Sequence, residues 1–401
     1  MEVLAATVRE VGLSSGLDVV GITDAGPFLS ARHDLEERKS KGLHAGMCFT
    51  FGSPERSTDP GISLPGARSL IVGARFYGDR GGMQPRHGHC GVDESGKSGE
   101  PMALGGGEPS ASGRVAQYSW RDQYSLVRRG LTCIGEALSA SGYTGLVLVD
   151  DNRLVDKPAA VRAGIGFFGK NTLLLVPGRG SRFVIGSVVT DAALPLDEQR
   201  VDRGCGSCTR CMTACPTGAL IAPGVLDARR CLAWLLQAPG PFPLEHRAAL
   251  ERRVYGCDAC QDACPVNRRA DRDDGQVPVS RDAAQVADRG DEQVVDLEWI
   301  IGASDEEILA RFSRWYIPRR QARYVRRNAL VALGNSHGAP SRVTGRALLR
   351  ALADPDPLIQ EHAVWAARRL GRQDLLSTVA RSAPRRMERT PGARQADPGT
   401  G

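Results

Sequence analysis

Eight of the chain's 11 cysteines fall between Cys205 and Cys264, and no other feature limits so tightly what the chain can fold into. Cys205-Gly-Ser-Cys208-Thr-Arg-Cys211-Met-Thr-Ala-Cys215-Pro216 has the spacing C-x2-C-x2-C-x3-C-P. In such a run three close thiolates hold one iron–sulfur cubane and the fourth reaches to a second. Cys257-Asp-Ala-Cys260-Gln-Asp-Ala-Cys264-Pro265 repeats the ending but lacks one early cysteine, and Cys231 fills the vacancy. The ligand count then closes: Cys205, Cys208, Cys211 and Cys264 make one four-thiolate set, and Cys215, Cys231, Cys257 and Cys260 the other. Structural zinc would use isolated sites with paired C-x2-C knuckles and gives no reason for a proline after each last cysteine.

Two [4Fe–4S] clusters move single electrons, so the module either carries them or feeds a redox centre in the same chain. The rest of the chain favours feeding. With 401 residues, 41% of them hydrophobic, it buries a sizeable core and divides into two or three units. No apolar run approaches the ~18 residues of a membrane span, and the start lacks the pattern of a secretory signal. A cytoplasmic protein, without membrane contact and monomeric, is expected. Cys48 and Cys133 read as small hydrophobes, and His87-Gly-His89-Cys90 as an incidental surface cluster.

Leu4, Val8 and Val11 mark a first helix, Leu17–Ile22 a strand, and Val127, Leu131, Ile134 and Leu138 one face of a second helix, followed by a buried strand over Leu146–Val149. This alternation predicts an α/β domain over residues 1–195. Residues 81–113, rich in Gly, Ser, Pro and Glu, read as a flexible insertion. The ferredoxin-like part takes 196–267, a polar linker 268–295, basic helices 296–375, and a disordered tail 376–401. No G-x-G-x-x-G follows a strand, so nicotinamide and flavin sites have no support.

Several stretches resemble the epoxyqueuosine reductase family: Leu64-Pro-Gly-Ala-Arg-Ser-Leu-Ile, Arg162-Ala-Gly-Ile-Gly-Phe-Phe-Gly-Lys-Asn-Thr172, the whole of Cys205–Leu220, Leu226-Asp-Ala-Arg-Arg-Cys231, Tyr255-Gly-Cys257 through Asn267, and Arg327-Asn-Ala-Leu-Val-Ala-Leu-Gly-Asn335. The resemblance implies an α+β multidomain enzyme: an α/β cobalamin-binding domain, a bacterial-type two-cluster ferredoxin domain and a C-terminal HEAT-like helical repeat. It further implies a cobalamin reduced to cob(I)alamin by the clusters, an external electron donor, and reduction of epoxyqueuosine to queuosine in tRNA. The family's proton-donating aspartate maps to Asp150. Arg56, Asp150, Lys170, Asn171 and Asp258 are the implied cobalamin contacts.

Two segments depart from the family. Its Asp-Thr-Gly-Pro-Val-Leu-Glu is here Asp150-Asp-Asn-Arg-Leu-Val-Asp156, and its Tyr-Ala-Trp-Gly-Arg-Asp-Tyr-His is Tyr118-Ser-Trp-Arg-Asp-Gln-Tyr-Ser125. They leave room for a corrinoid reductase of a small molecule, and the cysteines alone would also suit a non-enzymatic electron carrier.

The whole chain carries a formal charge of only +6, yet Ile308–Ala353 holds ten arginines and no Asp or Glu. Arg319, Arg320, Arg323, Arg326 and Arg327 flank Ala329, Leu330, Ala332 and Leu333, a pattern of helices with one apolar and one basic face. Arginine on helices suits phosphates and stacked, single-stranded bases, and the family holds the tRNA anticodon stem-loop with this module.

Overall fold

A computed structural model describes residues 1–78, 111–197, 204–273, 293–336 and 341–382. Along the strand Ser69–Phe76, Leu70, Val72 and Ala74 pack to one face and Ile71 to the other, all fully buried. Burial on both faces makes a strand read as a continuous apolar run. The strand is central in a four-stranded sheet ordered Val19–Asp24, Ser69–Phe76, Phe183–Thr190, Gly145–Val149. Helices Glu2–Ser14 and Gln123–Ala140 cover one face, burying Ala5, Val8, Leu131, Ile134 and Leu138. Phe28, Leu35, Ala159 and Ala160 fill the other. Each fully buried Leu or Ile contributes about 1.5–3 kcal/mol, enough to make this sheet the rigid base of the site.

The sheet corrects one expectation. Every strand pair in it is antiparallel, so residues 1–195 form helices on the faces of an antiparallel sheet, not the α/β arrangement that alternation along the sequence suggested. Alternation reports element order, whereas strand direction is set by long-range pairing such as that of Ser69 with Thr190.

A second sheet crosses the expected boundaries. Ser112–Val115 lies between Arg253–Tyr255, which it pairs with in parallel, and Val294–Asp296, antiparallel. The end of the 81–113 insertion is therefore strand, and so is the end of the 268–295 linker, whose start lies in the helix Pro265–Asp273. Short strands of this kind carry little periodic signal, which is why they were missed. His87, His89 and Cys90 lie outside the described residues.

The C-terminal part packs the helices Arg323–Gly334, Arg342–Leu352, Pro357–Arg369 and Gln373–Ser382 around Leu330, Leu333, Leu348, Ile359, Ala363 and Ala366. The last helix corrects the tail, which begins no earlier than 383. Ser341 and Asp356 cap their helices by accepting the amides of Thr344 and Leu358, each such cap contributing ~1 kcal/mol.

The basic face also differs from its reading. Arg327 is fully buried. Its guanidinium donates to the carbonyls of Leu235, Leu236, Ala238 and Gly240 and to Asn328 Oδ1. Arg326 pairs with Asp305 and Arg323 with Asp356. Exposed arginines run instead along Arg342, Arg346 and Arg350, one helical stripe at i, i+4 and i+8.

Candidate active site

Where the sheet meets the cysteine-rich part, a cavity of about 370 Å³ opens, lined by Cys215, Cys231, Cys257 and Cys260 together with Tyr77, Tyr118, Tyr124, Lys157, Asn171 and Asp258. The four thiols are one of the two sets read from spacing. Cys260 feels the charges of Cys257, Cys231 and Cys215, whereas Cys211 feels those of Cys205 and Cys208. Cys264 is buried beyond the helix Ala259–Asp262. Among the described residues no three His, Cys, Asp or Glu side chains converge closely enough for a single metal ion.

Backbone amides tune these sulfurs. Burial raises the Cys215 thiol, but the amides of Thr217, Ala219 and Leu220 outweigh it and bring its pKa below the ordinary value; Ala219 N–H lies 3.2 Å from Sγ. Burial dominates at Cys257, pushed up to about 11, and at Cys231. An N–H···S bond favours the charged sulfur that a cluster ligand must carry. Lys170 N–H lies 3.5 Å from Cys205 Sγ, and its ammonium bonds Gly206 O at 2.6 Å. Lys170 thus borders the first cysteine loop and is not among the cavity's lining residues.

The floor is locked by amides. Gln261 donates to Tyr77 Oη and Ser181 O, both at 3.0 Å, while Asn267 donates to Gln261 O at 2.8 Å and accepts from Ser181 N–H at 2.6 Å. A Cβ at Gly180, φ +80°, would stand 1.9 Å from Asn267 Oδ1, so only glycine fits.

Asn171, in the turn Gly169–Thr172, is 4% exposed and lines the cavity. Its Oδ1 accepts from Leu173 N–H, but its Nδ2 is buried without a partner. An unmade bond of this kind costs ~1–3 kcal/mol, and nothing else in the turn offsets it. Asp258 lines the same wall. Burial pushes its carboxyl up to about 6, although it accepts Gln117 N–H at 2.6 Å.

Asp150 terminates the strand Gly145–Val149 with a left-handed backbone, φ 52°. The side chain is solvent-accessible and does not line the cavity itself, but it acts on Tyr124, which does. Partial desolvation raises the Asp150 pKa; Arg128 opposes and Asp151 adds to the rise. Arg128 is held there by its bond to Val149 O, 2.9 Å. Arg56, on the short helix Pro54–Thr58, is exposed and is not among the lining residues; its charge acts on Asp151.

The sequence reading missed Tyr124, Asp156 and Lys157. Burial holds the Asp156 carboxyl well above its usual range, with Asp150 adding and Lys157 opposing. Burial also lowers the Lys157 amine, which donates to Thr172 O at 3.0 Å. Their one signal was the departure at Asp150–Asp156, read only as an altered wall.

A four-thiol set lining a cavity beside a sheet whose strand end carries an acid defines an iron–sulfur oxidoreductase with room for a second cofactor. Residues 204–267 match the 4Fe-4S double cluster binding domain. The chain is 33% identical to the epoxyqueuosine reductase of Pseudomonas aeruginosa over 92% of its length and 95% of that protein, and 37% identical to that of Vibrio cholerae over 90% and 91%. A crystal structure of epoxyqueuosine reductase with an epoxyqueuosine-modified tyrosine tRNA stem loop superposes with a TM-score of 0.77 at 28% identity, over 94% of this chain and 93% of that one. The chain belongs to the epoxyqueuosine reductase family. Its cofactors are two [4Fe–4S] clusters and cobalamin. Among the described residues no helix is long and apolar enough to cross a membrane.

Proposed function

We propose that this chain reduces epoxyqueuosine to queuosine in tRNA, with Asp150 as proton donor and Cys215, Cys231, Cys257 and Cys260 holding the cluster nearest the reacting centre. Cys205, Cys208, Cys211 and Cys264 hold the other. Loss of the epoxide oxygen as water consumes electrons and protons in equal number, so an electron path and an acid must meet at one place. The observation that carries the reading is that a complete four-thiol set lines one cavity together with Asn171 and Asp258. Cobalamin, when bound, supplies there a reduced metal centre that delivers electrons to the epoxide.

Asn171, Tyr77 and Tyr118 would hold the cofactor from the sheet side, and Asp258 would close the cluster side. Asp150 keeps its proton nearer neutrality than an ordinary aspartate and gives it to the oxygen as the ring opens. The arginine stripe of a HEAT-like helical stack, Arg342, Arg346 and Arg350, holds phosphates of the anticodon stem-loop. An external donor resupplies the clusters.

The test is turnover. Anaerobic protein reconstituted with iron, sulfide and cobalamin is expected to convert epoxyqueuosine-bearing tRNA to the queuosine form, read by mass spectrometry of digested nucleosides. Full cluster and corrinoid content without conversion would overturn the substrate.

A further inference from the structure

Between the helices Asp305–Arg311 and Arg323–Gly334 the chain forms a strap whose residues alternate in burial: Trp315 and Ile317 are buried, and Tyr316 between them is 60% exposed. Trp315 is stacked on both sides, on Tyr255 at 4.3 Å and on Phe312 at 4.0 Å between ring centroids. Tyr316 N–H donates to Tyr255 Oη at 2.8 Å. Arg314 reaches the carbonyl of Trp120 at 3.3 Å, and Arg320 that of Leu309 at 2.9 Å. The backbone carrying the Tyr316 ring is therefore fixed from several sides while the ring faces solvent.

Its surroundings are cationic. Arg319 is exposed and, among the described residues, has no hydrogen-bond or ion-pair partner, and no carboxylate occurs in the sequence from Ile308 to Ala353. Arg319 and Arg320 adopt left-handed conformations, φ 50° and 53°, so the strap turns sharply just past the ring. Two aromatic rings link the strap to the cavity wall. Tyr255 lies 6.1 Å from Tyr118, centroid to centroid, and Tyr118 lines the cavity wall.

We propose that Tyr316 is a stacking platform for the unpaired RNA base next to the nucleoside that enters the cavity. The proposal rests on the reading of the chain as an enzyme acting on tRNA. A nucleoside that leaves its loop for a cavity deprives its neighbour of a stacking face. A rigid aromatic ring flanked by arginines replaces that face at little entropic cost, for any base identity. Arg319 then meets the adjoining phosphate.

Binding of an anticodon stem-loop carrying 2-aminopurine beside the modified position, measured by fluorescence across a salt series with cluster-loaded protein, tests this. Tyr316→Ala is expected to weaken binding about tenfold, since one stacked base contributes ~1–3 kcal/mol, without changing the slope of log K against log salt. It should also abolish the 2-aminopurine quenching, and Tyr316→Trp should keep both. Arg319→Gln, by contrast, should lower the slope by about 0.7–0.9. Wild-type binding that depends on salt, with Tyr316→Ala equal to it in affinity and quenching, removes the platform and leaves the tRNA reading standing. No wild-type binding even at low salt removes both.

Discussion

Replacing Asp150 by Asn removes a proton donor while keeping the side chain's size. The strand end there is left-handed, φ 52°, a conformation Asn adopts as readily as Asp, so the fold should not suffer. The sign of the charge effect points the same way. Because desolvation raises the native pKa of Asp150, the native state binds this proton more tightly than the unfolded chain does. Stability therefore falls as pH rises from the ordinary aspartate pKa through the raised native one. Above that window the ionised group is a cost that Asn does not carry. The variant should unfold in urea at or above the wild-type midpoint at neutral pH. Its chemistry should fail by the worth of a general acid, ~10²–10⁴-fold, or about 3–5 kcal/mol of barrier. Single turnover of epoxyqueuosine-tRNA by pre-reduced holoenzyme reads this directly. The wild-type rate should fall about tenfold per pH unit above the native Asp150 pKa, and the variant's residual rate should be flat across the same range. A variant within about threefold of wild type, or one with the same pH fall, would refute Asp150 as the acid.

Arg327→Met should cost about 3–5 kcal/mol in urea unfolding, because it strips the buried carbonyls of Leu235, Leu236, Ala238 and Gly240 of their donor; a loss under ~1 kcal/mol would show that water replaces the guanidinium. Cys260→Ser should lower iron from about eight to about four per chain and leave the spectrum of one cubane; loss of all iron would show that the two thiol sets do not assemble separately. Neutralising Arg342, Arg346 and Arg350 together to Gln should lower the salt slope of RNA binding by about 2, and an unchanged slope would move the phosphate contacts elsewhere.

Of the thiol sets, the structure brings Cys215, Cys231, Cys257 and Cys260 around one cavity; short-range cysteine spacing survives in the sequence because a cluster holds close ligands at set intervals, though Cys231 joins from outside such a run. Asn171 was found through a motif, but its orphaned amide was not, since only the fold shows that Oδ1 is taken by Leu173 and Nδ2 is not. Arg327 marks the limit of helical periodicity. Beside Arg326 it reads as part of a basic face, yet it faces inward, where loop carbonyls 235–240 solvate it as water would. Periodicity separates apolar from polar residues and cannot foresee a polar residue whose partners come from a distant loop. Strand direction was hidden for a like reason: Gly145–Val149 is apolar whichever way its neighbour runs.

These distant partners bear on function because they join the helical part to the cysteines through short, bonded connections. Arg327 and Asn328 are adjacent on one helix. Arg327 grips the loop 235–240, and Asn328 donates to Leu236 O at 2.8 Å and Val254 O at 3.1 Å. Val254 belongs to the strand Arg253–Tyr255, after which come Gly256 and Cys257. Gly256, φ +68°, passes so close to Ala116 that a Cβ would meet its side chain at 2.4 Å. From the helix Arg323–Gly334, against which the arginine stripe's helix packs through the shared core, to the thiol of Cys257 the path is therefore covalent or hydrogen-bonded at each step. A reaction that needs a large nucleic acid, an acid and an electron source in register gains from such fixity, because misplacement by about 1 Å costs on the order of a hundredfold in rate.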